Sequence, residues 1–215
     1  MKKEEKMDQI FELLEKPAYT GVLLCIIGGK NYATSIAKHL GKKQPTVTEQ
    51  LKELEKLGLI KPLKREKSQR YEVNWDILLH TFYDIINEVL DERSEYLTPR
   101  EIKRIEKIGL EKIVPPELLK IFLKEYFLTL MDIGGKKKGF DEIVFSFFAA
   151  LNNLNKRQWR KLIKKFEVDE KSLLTLANLM EFEISGVELT ALQTYLEFSG
   201  RGEKSGKPVP KGKNS

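Results

Sequence analysis

Residues 45–73 of the chain read PTVTEQLKELEKLGLIKPLKREKSQRYEV, and their pattern determines which fold is predicted. The first half of this stretch has apolar residues at helical spacing up to Leu57, and the proline at position 45 suits the first turn of a helix. Gly58 fits the left-handed backbone position that commonly follows a helix. We therefore predict a helix over residues 44–57 that ends at this glycine.

A hairpin is predicted directly after this helix. Residues 59–63 and 70–73 are its two strands, and the charged residues 64–69 form its tip. Further helices are predicted upstream, at residues 4–15, 18–27 and 34–40. Two short helices joined by a tight turn at Gly41 and followed by a basic hairpin make a winged helix-turn-helix. In that arrangement the second helix can enter the major groove of DNA.

The rest of the chain is predicted to be helical. Helices are expected at residues 76–92, 99–108, 115–133, 140–152, 155–166, 169–183 and 187–198, with a turn at 134–139. The last sixteen residues contain four Gly, two Pro and two Ser, which is typical of a flexible tail. The fold class is therefore mainly α. It comprises a winged helix-turn-helix with a small β-hairpin wing (1–75), an all-α helical domain for dimerisation or regulation (76–198) and a flexible basic tail (199–215).

Two of the later helices are apolar around most of their circumference. Their side chains are Leu118, Leu119, Ile121, Phe122, Leu123, Phe127 and Leu128 in the first, and Ile143, Val144, Phe145, Phe147, Phe148 and Leu151 in the second. A helix of this kind is buried, either in the centre of its own bundle or at a subunit interface. An apolar pocket, which could take a small-molecule effector, is the third alternative.

The net charge of +6 is unevenly placed along the chain. Residues 41–73 carry nine Lys and Arg against five Glu, and residues 200–215 carry five against one. The rest of the chain carries 24 basic residues against 26 acidic ones. This pattern is expected when a specific part of a protein meets a polyanion.

The predicted helix over 44–57 has an apolar side made by Val47, Leu51 and Leu54. Its opposite side is polar and presents Gln44, Thr46, Thr48, Glu49 and Lys52. Gln can bond adenine with two hydrogen bonds, Thr can offer a hydroxyl or a methyl, and Glu can accept a bond from cytosine. Lys and Arg of the hairpin can neutralise phosphates. The residues thus predict a helix that reads bases and a wing that contacts the backbone of DNA.

Residues 17–75 resemble the winged-helix regulators of the ArsR and MarR type, which occur in bacteria and archaea; the chain looks archaeal-like. The resemblance rests on Ala37, Gly41, Val47, the run LKELEKLGLI from Leu51 to Ile60 and the Arg70-Tyr71 pair that ends the wing. It implies that the start of the reading helix touches bases, through Gln44, Pro45, Thr46, Thr48 and Glu49. It implies backbone contacts by Lys43, Lys52, Lys64, Arg65, Lys67 and Arg70.

The expected function is transcriptional regulation by a cytoplasmic homodimer bound to double-stranded DNA. Two alternatives stay open: a winged-helix module that binds proteins, and an accessory factor of DNA replication or chromatin. ArsR-type metal sensors use clustered Cys and His, and this chain has one Cys and two His, so no metal or other cofactor is expected. Asp76, His80, Asp84 and Glu88 recur every four residues, but they lie opposite apolar positions and are interpreted as a solvated stripe. No catalytic set and no membrane-spanning stretch is recognised, so neither enzymatic activity nor a membrane partner is expected.

Overall fold

The computed structural model describes residues 3–63, 69–133, 138–180 and 186–198. Four helices, α1 (Lys3–Leu14), α2 (Pro17–Ile27), α3 (Ala33–Leu40) and α4 (Gln44–Lys56), precede the strands β1 (Ile60–Leu63) and β2 (Arg70–Val73). The strands pair antiparallel, with Ile60 opposite Val73. The chain continues through α5 (Trp75–Glu92), a 3-10 turn (Ser94–Tyr96), α6 (Pro99–Ile108), α7 (Leu110–Ile113), α8 (Pro116–Ile133), α9 (Phe140–Asn152), α10 (Lys156–Phe166), α11 (Glu170–Leu179) and α12 (Gly186–Phe198). The predicted fold class is confirmed.

The end of α4 explains why the first strand begins one residue later than predicted. Gly58 has a φ of +80°, and its N–H donates to the carbonyl oxygen of Glu55 at 2.9 Å. The N–H of Leu59 donates to the carbonyl oxygen of Leu54, also at 2.9 Å. These two bonds close the helix in a Schellman motif, in which the glycine takes the left-handed position. Leu59 therefore completes the helix end, and the ladder starts at Ile60.

Other boundaries differ where the elements are short. The helix predicted over 169–183 ends at Leu179, and residues 181–185 lie outside the described residues. The 3-10 turn and α7 were not predicted, because pieces of three and four residues are too short to show an apolar period. Gly109, with a φ of +82°, separates α6 from α7.

Three predicted features fall outside the described residues. They are the tip of the wing at residues 64–68, the tail from residue 199 onward and four of the six residues of the turn at 134–139. The tip carries three of the predicted backbone contacts, Lys64, Arg65 and Lys67, which stay predictions.

Helix α2 lies at the centre of the helix-turn-helix and joins it to the rest of the chain. Its apolar sequence is buried almost throughout, and it packs against α3, α4, β2 and α8. Gly28, at its end, lies so close to the Phe127 ring of α8 that a Cβ there would overlap the ring. The contact crosses the boundary predicted near residue 75. One continuous core consequently supports both α4 and the later helices.

Helices α8 and α9 bury their apolar side chains inside the chain itself. Phe122 and Phe147 meet edge to face with ring centroids 4.9 Å apart, and Phe82 of α5 packs against Phe147 at 5.9 Å. All three are at most 1% exposed. Of the three alternatives for these helices, the structure supports the bundle core. Leu128, on the outer side of α8, is 40% exposed.

Candidate nucleic-acid interface

Helix α4 turns one side to the core and the other to solvent. Val47, Leu51 and Leu54 are fully buried, as predicted from their spacing. Successive residues of a helix lie about 100° apart, so Pro45, Glu49 and Lys52 lie opposite this buried side. All three are exposed. The core therefore fixes which side of α4 is available to a ligand.

The predicted base-reading residues lie together on the first two turns of α4. Gln44, Pro45, Thr46 and Glu49 are exposed. Thr48 is half-buried, and its hydroxyl donates to the main-chain carbonyl oxygen of Gln44 at 3.0 Å. This bond uses the hydroxyl proton, so the methyl group and the oxygen lone pairs are what Thr48 can offer outward.

A buried amide holds the turn between α3 and α4. Gln50, on the core side of α4, is 7% exposed, and its side-chain oxygen accepts a hydrogen bond from Lys42 Nζ at 3.2 Å. Lys42 Nζ also lies 3.5 Å from the carbonyl oxygen of Ala18 in α2. The backbone of Gly41, with a φ of +62°, makes the turn itself. Lys42 thus ties the start of α4 to α2, a role that the sequence analysis missed.

A second contact ties the middle of α4 to α2. The Tyr19 hydroxyl donates a hydrogen bond to the Glu53 carboxylate. This bond, together with burial and the charges of Glu53 and Glu49, raises the pKa of Tyr19 to about 12. Tyr19 therefore stays protonated at neutral pH and keeps donating. The bond directs Glu53, one of the three carboxylates of α4, toward α2.

The base of the wing is fixed to the start of α3. The guanidinium of Arg70 lies over the Tyr32 ring, 4.7 Å from its centroid, and its Nε donates to the Tyr32 hydroxyl. One residue further along β2, the N–H of Tyr71 donates to the carbonyl oxygen of Asn31 at 3.1 Å. Arg70 is half-buried, so its predicted place at the base of the wing is also a packing position. Tyr32 was missed because no local pattern links it to Arg70.

Lysines surround the exposed side of α4. Lys43, which precedes the helix, and Lys52, on its outer side, are both exposed. Lys38 on α3 and Lys61 on β1 are exposed as well and were not predicted as contacts. These lysines lie on α4, just before it, and on the elements α3 and β1 that pack against it, so each of these elements can offer positive charge to a polyanion.

The described residues contain no group of three or more His, Cys, Asp or Glu that could hold a metal ion. Cys25 is fully buried in α2. On α5, His80 Nε2 lies 3.7 Å from Asp84 Oδ2, and both His80 and Glu88 are exposed.

In the parts of the chain that the structure describes, no helix has the length and apolar character needed to span a membrane.

Comparison with known proteins gives a match in the helix-turn-helix region. Residues 22–61 match the family model described as bacterial regulatory protein, arsR family. No curated protein and no solved structure matches the chain. The matched span starts in α2, includes α3 and α4 and ends within β1, so the second strand of the hairpin lies outside it. The match supports the ArsR part of the predicted resemblance and gives no support to a MarR relationship or an archaeal origin. Residues 22–61 thus match an ArsR-family helix-turn-helix domain, and at the level of that family the match supports a DNA-binding transcription regulator.

Proposed function

We propose that α4 lies in the major groove of double-stranded DNA and selects its sequence, while the wing contacts the flanking backbone. The observation that carries this proposal is the burial of α4. Val47, Leu51 and Leu54 hold one side in the core, and the first two turns expose a polar surface with no large apolar side chain. A major groove about 12 Å wide admits a helix presented in this way.

The side chains of the first turns divide the work of recognition by their chemistry. Gln44 can donate to and accept from the edge of adenine, and Glu49 can accept from the amino group of cytosine. Thr48 offers a methyl group to thymine, because its hydroxyl proton is bonded to the main chain. Pro45 and Thr46 complete the surface that meets the bases.

Phosphate contacts are assigned to the cations beside α4 and on the wing. Lys43 and Lys52 flank the base-reading residues at the start and on the outer side of the helix. The wing supplies Lys64, Arg65 and Lys67 from its tip and Arg70 from its base. Because Arg70 is stacked on Tyr32, it contributes by holding the wing in place as well as by its charge.

We further propose that the protein acts as a homodimer in the cytoplasm. A single helix-turn-helix reads a short half-site, and a dimer doubles the contacts on a pseudo-palindromic sequence. Most apolar side chains of α8 and α9 are buried inside the chain, so these helices leave few apolar residues, Leu128 among them, for the proposed contact.

The test of this function begins with selection of bound sequences from a random pool of duplexes. Gln44→Ala and Thr48→Ala are then compared with wild type on the selected sequence and on random DNA. Each should cost about 1–3 kcal/mol on the selected sequence and little on random DNA, because base contacts carry the specificity. Asn178→Ala is a matched control, since this amide is also exposed on a helix. Equal losses on both kinds of DNA would refute base reading by α4.

A further inference from the structure

Helix α10 is the most basic element that the structure describes. Its sequence, KRQWRKLIKKF, holds six Lys and Arg and no acidic residue. The charge of this helix does not show in the sequence-wide count, because acidic residues elsewhere in the chain balance its six cations. Two of its cations have partners inside the fold: Lys161 donates to the carbonyl oxygen of Leu196 at 2.9 Å, and Lys165 lies over the Tyr195 ring at 4.6 Å.

The other four cations share one exposed side, which we call the α10 basic face: Lys156, Arg157, Arg160 and Lys164. At about 100° per residue they fall within an arc of about 100°. Gln158 and Leu162, which are at most 4% exposed, lie on the opposite side of the helix. Lys156, Arg160 and Lys164 follow one another about 6 Å apart along the axis, at the 1.5 Å rise of a helix.

Within the residues that the structure describes, no carboxylate forms an ion pair with the α10 basic face. The carboxylates packed near α10 bond to other groups: Glu170 accepts from Trp159 Nε1 at 3.0 Å, and Glu197 accepts from Gln158 Nε2 at 3.2 Å. Like charges four residues apart repel on a helix, and cations in its first turn oppose the helix dipole. The row therefore costs stability in the free protein, and an external polyanion would relieve the repulsion.

We propose that the α10 basic face is a second contact surface for the phosphate backbone of DNA, separate from α4 and the wing. A duplex fits better than an acidic protein, because protein interfaces need buried apolar anchors and this face presents only charged side chains.

The position of α10 decides which DNA it meets. The helices α4, α2, α8, α12 and α10 pack in that order, and packed helices lie about 8–10 Å apart. The face thus lies up to about 40 Å from α4, which is roughly one turn of B-DNA. The phosphates it binds belong to DNA flanking the site read by α4 or to a second duplex.

The decisive experiment compares two variants of the full chain that lose the same charge. One is Lys156→Gln/Arg157→Gln/Arg160→Gln/Lys164→Gln; the control is Lys103→Gln/Lys107→Gln/Lys112→Gln/Lys124→Gln, whose lysines are exposed on α6, α7 and α8. Binding to a random duplex of about 60 bp is measured against salt concentration. The α10 variant should reduce the salt slope by up to about 3–4, at about 0.9 per phosphate contact, and the control should leave it nearly unchanged. The thermal midpoint of the α10 variant should not fall, since only exposed repelling charges are removed.

Further binding measurements distinguish flanking DNA from a second DNA duplex, and DNA from an acidic protein, as the partner of the α10 basic face. With a duplex of about 12 bp, which is little more than one turn, flanking contacts disappear and the two variants should bind alike. Capture of a second labelled duplex that requires the α10 basic face would assign the contact to another DNA molecule. Equal slopes for the two variants on long DNA would overturn the proposal. Loss of polyglutamate binding in the α10 variant with duplex binding intact would also overturn it and indicate an acidic protein partner.

The outcome is independent of sequence reading by α4. In a Gln44→Ala/Thr48→Ala background the preference for the selected sequence should be lost, yet the α10 substitutions should still lower the salt slope on long random DNA. If α4 does not read DNA, no variant will prefer one sequence over random DNA. The difference in salt slope between the α10 variant and its control will still report whether α10 contacts phosphates.

Discussion

The contact between Arg70 and Tyr32 predicts how the wing is held. Tyr32→Phe removes the hydroxyl that accepts from Arg70 Nε and keeps the ring beneath the guanidinium. A hydrogen bond from a charged donor contributes about 1.5–3 kcal/mol when buried, and both residues here are half-buried, so we expect a loss of about 1 kcal/mol. Tyr32→Leu also removes the ring and should cost about 0.5–1 kcal/mol more.

Urea unfolding of the full chain measures this contact through a double-mutant cycle. Arg70→Gln should lower the free energy of unfolding by a similar amount, and Tyr32→Phe in the Arg70→Gln background should then have almost no effect. The coupling energy should therefore be about 1 kcal/mol. Tyr96→Phe is the control, because that side chain is 74% exposed. Additive losses, or a loss from Tyr32→Phe no larger than that of the control, would show that the two residues do not support each other.

The same variants connect the contact to function. If Tyr32 holds the base of the wing, Tyr32→Leu should weaken binding to selected and random DNA by a similar factor, because the wing is proposed to contact phosphates and not bases. It should do so without changing any charge. A loss confined to the selected sequence would instead place Tyr32 among the base-reading residues.

Two further predictions concern the scaffold. Gly28→Ala should lower the free energy of unfolding in urea by about 1–3 kcal/mol, because the added methyl group would overlap the Phe127 ring. The φ of −77° at this position is ordinary for alanine, so the loss would not come from the backbone. Phe127→Leu should offset part of the loss, and unchanged stability of Gly28→Ala would contradict the packing of α2 on α8. Asp169, which caps α11, accepts from Arg104 at 2.6 and 2.9 Å, and this partner holds the pKa of its carboxyl well below the usual range. A lowered folded-state pKa contributes stability above the unfolded value of about 3.9 and loses it as the pH falls further. Because the pair is partly exposed, Asp169→Asn should lower the free energy of unfolding by only about 1 kcal/mol at pH 7. The difference in stability between the variant and wild type should shrink below about pH 4. A constant difference between pH 7 and pH 2 would contradict the pairing.

The parts of the interface that could be predicted from sequence are those encoded locally. Val47, Leu51 and Leu54 repeat at helical spacing, and Gly58 marks the end of the helix, so the buried side of α4 and its length follow from neighbouring residues. The remaining residues of α4 then form its exposed side. Helix boundaries elsewhere were predicted closely for the same reason, because proline and glycine punctuate the apolar periods.

The contacts that hold α4 and the base of the wing could not be predicted, because they join residues far apart in the chain. Tyr19 and Glu53 are 34 positions apart, and Tyr32 and Arg70 are 38 positions apart. A tyrosine before a short helix and an arginine at the start of a strand are ordinary surface residues until the fold brings them together. Gln50 was missed for a different reason: it is a polar residue on the buried side, and only its bond to Lys42 makes that position acceptable.

The arrangement around α2 has a consequence for how the DNA-binding region is coupled to the later helices. Helix α2 is held to α4 by the Tyr19–Glu53 bond and by Lys42, and its end rests on the Phe127 ring. The same ring lies 5.5 Å from the His39 ring of α3. Close-packed interiors transmit displacements instead of absorbing them, because almost no free volume lies between the side chains. A displacement of α8 would therefore reach α2 and α3 together, and these two helices contact both α4 and the base of the wing. The Phe127 ring thus places α8 in direct contact with the two helices that support α4, the helix proposed to read DNA.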